Sequence, residues 1–338
     1  MTEGFDLSAR NTFRMKVSCA RFVEYNSSKE LHEINFVELT QPVFHIGGGS
    51  NILFTKDFPG TILHSCIKEF RVASSSNEGV LVEVGAGMPF DDLCSWAANN
   101  GLWGPENLSG IPGEVGAAAV QNIGAYGVEA CEIISAVKCF DTVTREDVAF
   151  NVASCAYAYR DSAFKHEPYK GRYIITSVLF SLSREYSPRL GYKQLAGELG
   201  SAEDLTPARV RETVLRIRSS KLPDPAEIGS AGSFFKNPVV SGAEYQRICA
   251  LAEAEGLGEV PHYPSPQGVK LSAAWMIDRC SLKGRSIGGA AVYERQPLVI
   301  VNRSGEATPE DVLAVEKLVC DSVLERFGVQ LHPEVEHL

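Results

Sequence analysis

The apolar positions change period along the chain, and those changes sketch its elements. Val43-Phe-His-Ile46 and Ile52-Leu-Phe54 flank Gly47-Gly-Gly-Ser-Asn51, which predicts strand, tight loop, strand. Val80-Leu-Val-Glu-Val84 predicts another strand, and residues 136–141, 149–152 and 173–181 three more. Phe90, Leu93, Trp96 and Ala97 recur at helical spacing, so a helix is expected over residues 89–100, closed by Gly101. Thr206-Pro207 caps and opens a helix to about residue 220, and Lys221-Leu-Pro-Asp-Pro225 stops it with two prolines. Ser241 with Glu244 predicts a capping box for a helix ending at Gly256. Thr308-Pro-Glu-Asp311 opens a last helix that puts Val312, Val315, Val319, Val323 and Phe327 largely on one face, with Gly328 closing it. Val329-x-Leu331 then reads as a short strand. Strands and helices mix without regular βαβ alternation, which predicts an α+β architecture. The proline pair marks the best domain boundary, between a longer N-terminal region and a smaller C-terminal one.

One segment breaks every period. Gly110-Ile-Pro-Gly-Glu-Val-Gly-Ala-Ala-Ala-Val-Gln-Asn-Ile-Gly-Ala-Tyr-Gly127 packs glycine and alanine where a core element would carry branched side chains. Without Cβ atoms a backbone turns sharply and can bring its N–H groups against a ligand. Successive exposed N–H groups suit an anion such as a pyrophosphate. Gln121 and Asn122 interrupt the small residues, as a ligand-lining wall requires and a plain turn does not. With the loop at residues 47–51, two such surfaces predict one extended phosphate-bearing cofactor. The usual fingerprints are absent: Gly85-Ala-Gly87 runs into Met-Pro with no third glycine, and no P-loop occurs.

Composition narrows the partners. The 338 residues suffice for two or three domains, and 44% hydrophobic with 22% charged residues fits a soluble globular chain. A net charge of −10 argues against nucleic-acid or anionic-membrane surfaces. No apolar run approaches the ~20 residues of a membrane span, and Glu3, Asp6 and Arg10 occupy the place of a signal peptide's apolar core. Nine cysteines without a Cys-x-x-Cys pair predict free thiols in a reducing cytoplasm. The seven histidines show no His-x-x-x-His or mixed Cys/His ligand spacing, so no protein-bound metal is expected.

Three further segments combine reactive residues with restrictive neighbours. Within Tyr157-Ala-Tyr-Arg-Asp-Ser-Ala-Phe-Lys165, Arg160 offers a planar fork suited to a carboxylate. Taken alone it reads as a structural arginine paired with Asp161. Ser233 sits in Gly229-Ser-Ala-Gly-Ser-Phe-Phe-Lys-Asn-Pro238 between a glycine turn and two aromatics; alone it reads as a loop cap. Glu334, in Leu331-His-Pro-Glu334, would be a solvated tail residue but for Pro333 and the apolar pattern before it. Lys221, Lys236 and Asn237 add donors that a negatively charged substrate would need.

These motifs occur in one order: Ile111-Pro-Gly-x-Val-Gly with Gln121-Asn-Ile-Gly-Ala-Tyr-Gly127, then Tyr159-Arg-Asp-Ser162, Gly232-Ser-Phe-Phe-Lys-Asn-Pro238 and Pro333-Glu-Val335. Together they closely resemble the UDP-N-acetylenolpyruvoylglucosamine reductase family, from about Asn11-Thr-Phe13 to Glu334. Tyr192 in Pro188-Arg-Leu-Gly-Tyr-Lys-Gln-Leu195 resembles the substrate-capping tyrosine of the type I subclass, although Lys193-Gln194 departs from the Gly-Asp that often follows it. Glu336 stands where some members carry arginine.

The resemblance implies a PCMH-type FAD-binding fold over residues 1–220, in two subdomains split near residue 70. A smaller α/β substrate-binding domain over 221–338 would carry the catalytic serine and glutamate. It implies non-covalent FAD held by Gly47, Gly48, Gly49, Ser50, Asn51, Pro112, Gly113, Gly116, Ala117, Gln121, Asn122, Gly124, Ala125 and Tyr126. NADPH would reduce the flavin and leave, and UDP-N-acetylglucosamine enolpyruvate would take its place, which makes a Rossmann domain unnecessary. Arg160 and Glu334 would stabilise the enolate-like intermediate, and Ser233 would deliver the proton. Lys221, Asn237, Tyr192 and Gln296 would hold the sugar nucleotide. The product would be UDP-N-acetylmuramate, a peptidoglycan precursor, and the enzyme a cytoplasmic monomer. The alternative is another PCMH-fold flavin oxidase or dehydrogenase acting on an alcohol or sugar. Such enzymes often hold flavin covalently through histidine, for which His45 beside Gly47 is the only candidate; it reads as a buried strand residue. A non-catalytic flavin- or nucleotide-binding module would bind nucleotide without turning over NADPH.

Overall fold

In the computed structural model, residues 2–200 and 204–338 are described, and the fold is α+β. The chain forms two compact units. The first comprises residues 1–5, 18–48 and 58–220; the second comprises 6–17, 49–57 and 221–338. The second unit therefore begins its last segment at the proline-bounded stretch but also takes two short pieces of the N-terminal half. Side chains explain why. Asn11 is buried, its amide donating to the Leu7 and Met15 carbonyls and its Oδ1 accepting from the Met15 N–H. Phe13 lies edge-on to Phe234, with ring centroids 6.2 Å apart.

Two sheets frame the first unit. One has the spatial order Thr2–Asp6, Ser18–Tyr25, Phe58–Ser65, Val43–Ile46, with the Phe58–Ser65 strand parallel to both Ser18–Tyr25 and Val43–Ile46. The other has the order Asp147–Asn151, Ile134–Asp141, Tyr173–Ser183, Gly79–Gly85, Phe70–Ser75 and is antiparallel where its neighbours pair. Its alternating Val80, Val82 and Val84 are buried against Phe90, Leu93 and Ala97 of the Phe90–Asn99 helix and Val115, Ala118 and Ala119 of the Val115–Gln121 helix. The period-2 and period-3.6 patterns thus meet in one core. A further cluster joins Leu195 and Leu199 to Val210, Val214 and Ile217 of the Pro207–Lys221 helix.

The second unit carries a four-stranded sheet ordered Gly229–Ser233, Val299–Asn302, Ala290–Val292, Ser286–Ile287. A three-stranded sheet places Gly268–Leu271 between Val239–Val240 and His262–Ser265. The expected capping boxes form: Ser241 with Glu244 opens Gly242–Ala254, and Thr308 with Asp311 opens Pro309–Phe327. Val312, Val315, Val319, Val323 and Phe327 are all fully buried, and Gly328 closes that helix in the left-handed region at φ 63°.

Val43–Ile46 and Ile52–Leu53 are strands on either side of the loop, as expected; they lie in different sheets, and Ile52–Leu53 pairs in parallel with Glu336–His337. One expectation differs. Residues 329–331 are not a strand. Val329 and Leu331 are buried, yet the nearby backbone bond runs from the Lys236 N–H to the His332 carbonyl, and the strand forms later.

Candidate functional site

In the first unit the small-residue segment makes a wall. Asp91 fixes its start, accepting from the Gly110 N–H at 2.6 Å. Burial pushes the Asp91 carboxyl up, but Arg211 and that N–H overcome it and leave the group below its usual range. Next comes the short Val115–Gln121 helix, where lack of side chains permits close approach. A Cβ on Gly116 would lie 2.9 Å from the Ala86 Cβ, and one on Gly47 would lie 2.9 Å from the Ala117 Cβ. A Cβ on Gly48 would make only an ordinary contact, 3.5 Å from the Gly113 Cα. What remains is a surface of bare backbone, with Pro112 exposed before it.

Asn122 ends the helix in the left-handed region at φ 44°. Its fully buried amide donates to Glu129 at 2.7 Å and to the Ala158 carbonyl at 2.9 Å, while its Oδ1 accepts from the Cys131 N–H. The side chain is committed to holding the wall. Gln121 accepts from Lys165 Nζ at 2.9 Å, and the same ammonium donates to the Arg160 carbonyl at 3.1 Å. Arg160 sits at the tip of a tight turn between Ala158 and Asp161, with φ 55°. Such a backbone costs a non-glycine residue on the order of 1 kcal/mol or more and is typical of functional positions. Its guanidinium donates to the Gly124 carbonyl at 2.6 Å, and a Cβ on Gly124 would stand 2.8 Å from Arg160 Nη1. Gly124 is therefore the seat of the arginine. Ala125 follows as part of a two-residue strand.

Tyr126 continues the wall at φ 49°, and the Tyr192 ring meets it edge-on at 5.1 Å. Burial raises the Tyr126 phenol's pKa, and Arg218 partly offsets the rise. Asn107 explains how the two tyrosine-bearing segments stay together: fully buried, it donates to the Tyr126 carbonyl at 2.9 Å and to the Arg189 carbonyl at 2.8 Å. Sequence reasoning missed Asn107, Lys165 and Asp91. Their partners lie 19 to 82 residues away, 44, and 19 to 120 respectively, and no local signal points to them.

In the second unit, Ser233 is not in a loop but ends the Gly229–Ser233 strand, opposite Val299 and just after Gly232 at φ 70°. The Phe234 N–H donates to the Leu298 carbonyl at 2.7 Å, while the Phe234 carbonyl accepts from the Glu334 N–H at 2.7 Å. Phe235 bridges Pro333. The segment bearing Ser233 is thus stitched directly to the segment bearing Glu334. Asn51 donates from its amide to the Glu334 carbonyl at 3.1 Å and accepts the Glu336 N–H at 3.0 Å, so it anchors the glutamate's backbone. Gly49 packs onto the Arg10 backbone, where a Cβ would lie 2.1 Å from the Arg10 carbonyl oxygen; Ser50 follows, half-buried. Asn237 accepts from the Ala273 N–H at 3.0 Å, at the start of the Ala273–Arg279 helix. The Gln296 carbonyl accepts the Val299 N–H at 3.0 Å, and Lys221 is half-buried where the last segment begins. His45 has its Nε2 2.6 Å from the Tyr25 hydroxyl, and burial, with His64 adding, pushes its pKa down to about 3. It is a neutral strand residue already engaged.

One unit carries a small-residue wall and the other stitches a serine-bearing segment to a carboxylate-bearing one, features that suit a flavin-dependent oxidoreductase. Residues 26–146 match the model of an FAD binding domain, and residues 224–338 match the C-terminal domain of UDP-N-acetylenolpyruvoylglucosamine reductase. A Bacteroides fragilis protein of that name is 43% identical over 340 residues, covering all of both chains. One from Neisseria meningitidis serogroup C is 45% identical over 337 residues, 97% of this chain and 95% of its own. The solved reductase of Thermus caldophilus shares the fold, with a TM-score of 0.67 at 24% identity over 98% of this chain and 96% of that one. This chain belongs to the UDP-N-acetylenolpyruvoylglucosamine reductase family. The family binds FAD, and the glycines suit such a wall: a Cβ on Gly47 would crowd the Ala117 Cβ at 2.9 Å and one on Gly116 the Ala86 Cβ at 2.9 Å, so only bare backbone lets these segments approach. Among the described residues, no helix is long and apolar enough to cross a membrane.

Proposed function

We propose that the chain reduces the enolpyruvyl group of UDP-N-acetylglucosamine enolpyruvate to the lactyl ether of UDP-N-acetylmuramate, with NADPH as reductant and Arg160, Ser233 and Glu334 as catalytic residues. FAD, when bound, would supply the hydride chemistry that links NADPH to the vinyl carbon. The chain's own residues manage the charge and the proton. Arg160, held in place by the Gly124 carbonyl, keeps a guanidinium ready where negative charge develops on the carboxylate-bearing side. Ser233 delivers the proton to the adjacent carbon; a serine is a weak acid, so its placement carries the step. Glu334 assists by holding a proton or by orienting a donor, since a bare carboxylate would oppose the developing charge. Lys221, Tyr192, Asn237 and Gln296 hold the sugar nucleotide. Asn237 has its Oδ1 committed to the Ala273 N–H and so offers its amide N–H groups.

The observation that carries this reading is the bond from the Glu334 N–H to the Phe234 carbonyl, which sets the carboxylate-bearing and hydroxyl-bearing segments side by side. The test is NADPH oxidation by the purified protein with and without UDP-N-acetylglucosamine enolpyruvate. The substrate should accelerate turnover and be converted to UDP-N-acetylmuramate. NADPH oxidation that the substrate leaves unchanged, with no such product, overturns the proposal.

A further inference from the structure

In the first unit, strand register brings three ligand-bearing side chains onto one face. Glu24, in the Ser18–Tyr25 strand, is the direct parallel partner of His64 in the Phe58–Ser65 strand. Cys66 lies two residues beyond His64, so the strand period turns it to the same side. Its N–H donates to the Tyr25 carbonyl at 2.8 Å, which extends the ladder one step past the strand.

The three ligand atoms form a small triangle. His64 Nδ1 is 3.1 Å from Glu24 Oε1, and Cys66 Sγ is 3.5 Å from that oxygen and 3.6 Å from that nitrogen. A tetrahedral zinc ion, at about 2.0–2.1 Å from nitrogen and oxygen and about 2.3 Å from sulfur, requires ligand-to-ligand edges of roughly 3.3–3.6 Å. The triangle meets those edges to within ~0.3 Å.

A second feature points the same way. The His64 imidazole is buried, and its far nitrogen Nε2 lies 2.9 Å from Glu114 Oε1. An Nε2–H donated to that carboxylate leaves Nδ1 with its lone pair facing Glu24 and Cys66. Metal-bound histidines are oriented in this way by an outer carboxylate. Exposure grades outward from buried His64 through Cys66 to exposed Glu24, which gives an ion a path from solvent.

We propose that Glu24, His64 and Cys66 form a three-ligand site for a thiophilic divalent cation, zinc being the best match, with water in the fourth position and Glu114 as the outer acceptor. A thiolate with an imidazole favours zinc over magnesium or calcium, which prefer all-oxygen shells. Binding breaks the Cys66 S–H bond, releases that proton to solvent and forms the S–metal bond. His64 and Glu24 contribute lone pairs, and nothing is oxidised or reduced. Glu114 is the N-cap of the Val115–Gln121 helix, so the ion would fasten the start of the small-residue wall to the parallel sheet. Linear spacing misses the site because Glu24 stands 40 residues from His64.

The test uses the FAD-loaded protein, stripped with a chelator and titrated with zinc chloride against a chromophoric competitor. Iodoacetamide labelling of Cys66 is read in parallel by peptide mass spectrometry. One equivalent should bind and protect Cys66 from alkylation. Cys66→Ser and Glu24→Gln should each weaken binding tenfold or more, and Glu114→Gln by about 10–100-fold, the range for an outer partner. Cys249→Ser, at a thiol outside the cluster, should leave affinity unchanged. Flavin content and thermal melting equal to wild type establish that each variant is folded. No bound equivalent in the wild type, or equal affinity in a folded Cys66→Ser variant, overturns the proposal.

Discussion

At the scale of single residues, the wall and the serine make separable demands. Among the described residues no protein group takes a hydrogen bond from the Ser233 hydroxyl, which leaves it available as a donor. Ser233→Ala should still let NADPH reduce the flavin, while stopped-flow reoxidation by the enolpyruvyl substrate slows by roughly 10²–10⁴-fold, the scale of a positioned proton donor. A variant slowed in flavin reduction but normal in reoxidation would remove Ser233 from that role. Gly124 makes the complementary case. A methyl there meets Arg160 Nη1 at 2.8 Å, closer than the Val128 carbonyl oxygen at 3.0 Å, and the end of a flexible side chain yields before backbone does. Gly124→Ala should therefore keep fold and flavin but slow the same reoxidation step, by about tenfold or more if the arginine moves even ~1 Å. Arg160 itself was legible as a planar fork. Its seat was not, because Gly124 lies 36 residues away and reads as one more small residue.

At the scale of elements, what the sequence announced was local and what it withheld was long-range. Capping boxes and the five-residue face of the last helix depend on neighbours three to eight positions apart, and both appear as expected. The strands flanking the loop at residues 47–51 form as expected but join different sheets, because Ile52–Leu53 finds its partner at Glu336–His337. No periodicity encodes that choice. The strand end at Asp141 shows how elements are also tied by charge. Asp141 accepts from Arg172, just before the neighbouring Tyr173–Ser183 strand, and from the Val143 N–H. The arginine, with these N–H bonds, lowers the buried carboxyl to about 2. Because the folded pKa lies below the unfolded value near 4, this tie contributes fully above about pH 4 and is lost as pH falls through about 2. Urea midpoints of wild type and Asp141→Asn should differ at pH 6 and converge between pH 4 and 2. A gap that persists at pH 2 would assign the stability to something other than the ionised carboxylate.

At the scale of the whole molecule, the α+β class was legible from the mixture of periods, while the membership of the units was not. The chain passes between units at residues 5–6, 17–18, 48–49, 57–58 and 220–221. The stretch at 221–225 looked like a clean division, but Phe13 packs on Phe234, and the buried Asn302 side chain donates to the Phe13 carbonyl at 3.1 Å. A fragment of residues 221–338 should thus fail to give a cooperative thermal transition alone. Adding back residues 6–17 and 49–57 on linkers should restore one; cooperative melting of the bare fragment would show those segments to be dispensable. The same threading governs events on the ribosome. Phe13, Ile52 and Leu53 emerge early, yet their partners Phe234 and Glu336–His337 follow much later in the chain. Those three apolar residues must wait for segments far down the chain, so the second unit's contacts close late in synthesis and its early segments stay exposed meanwhile.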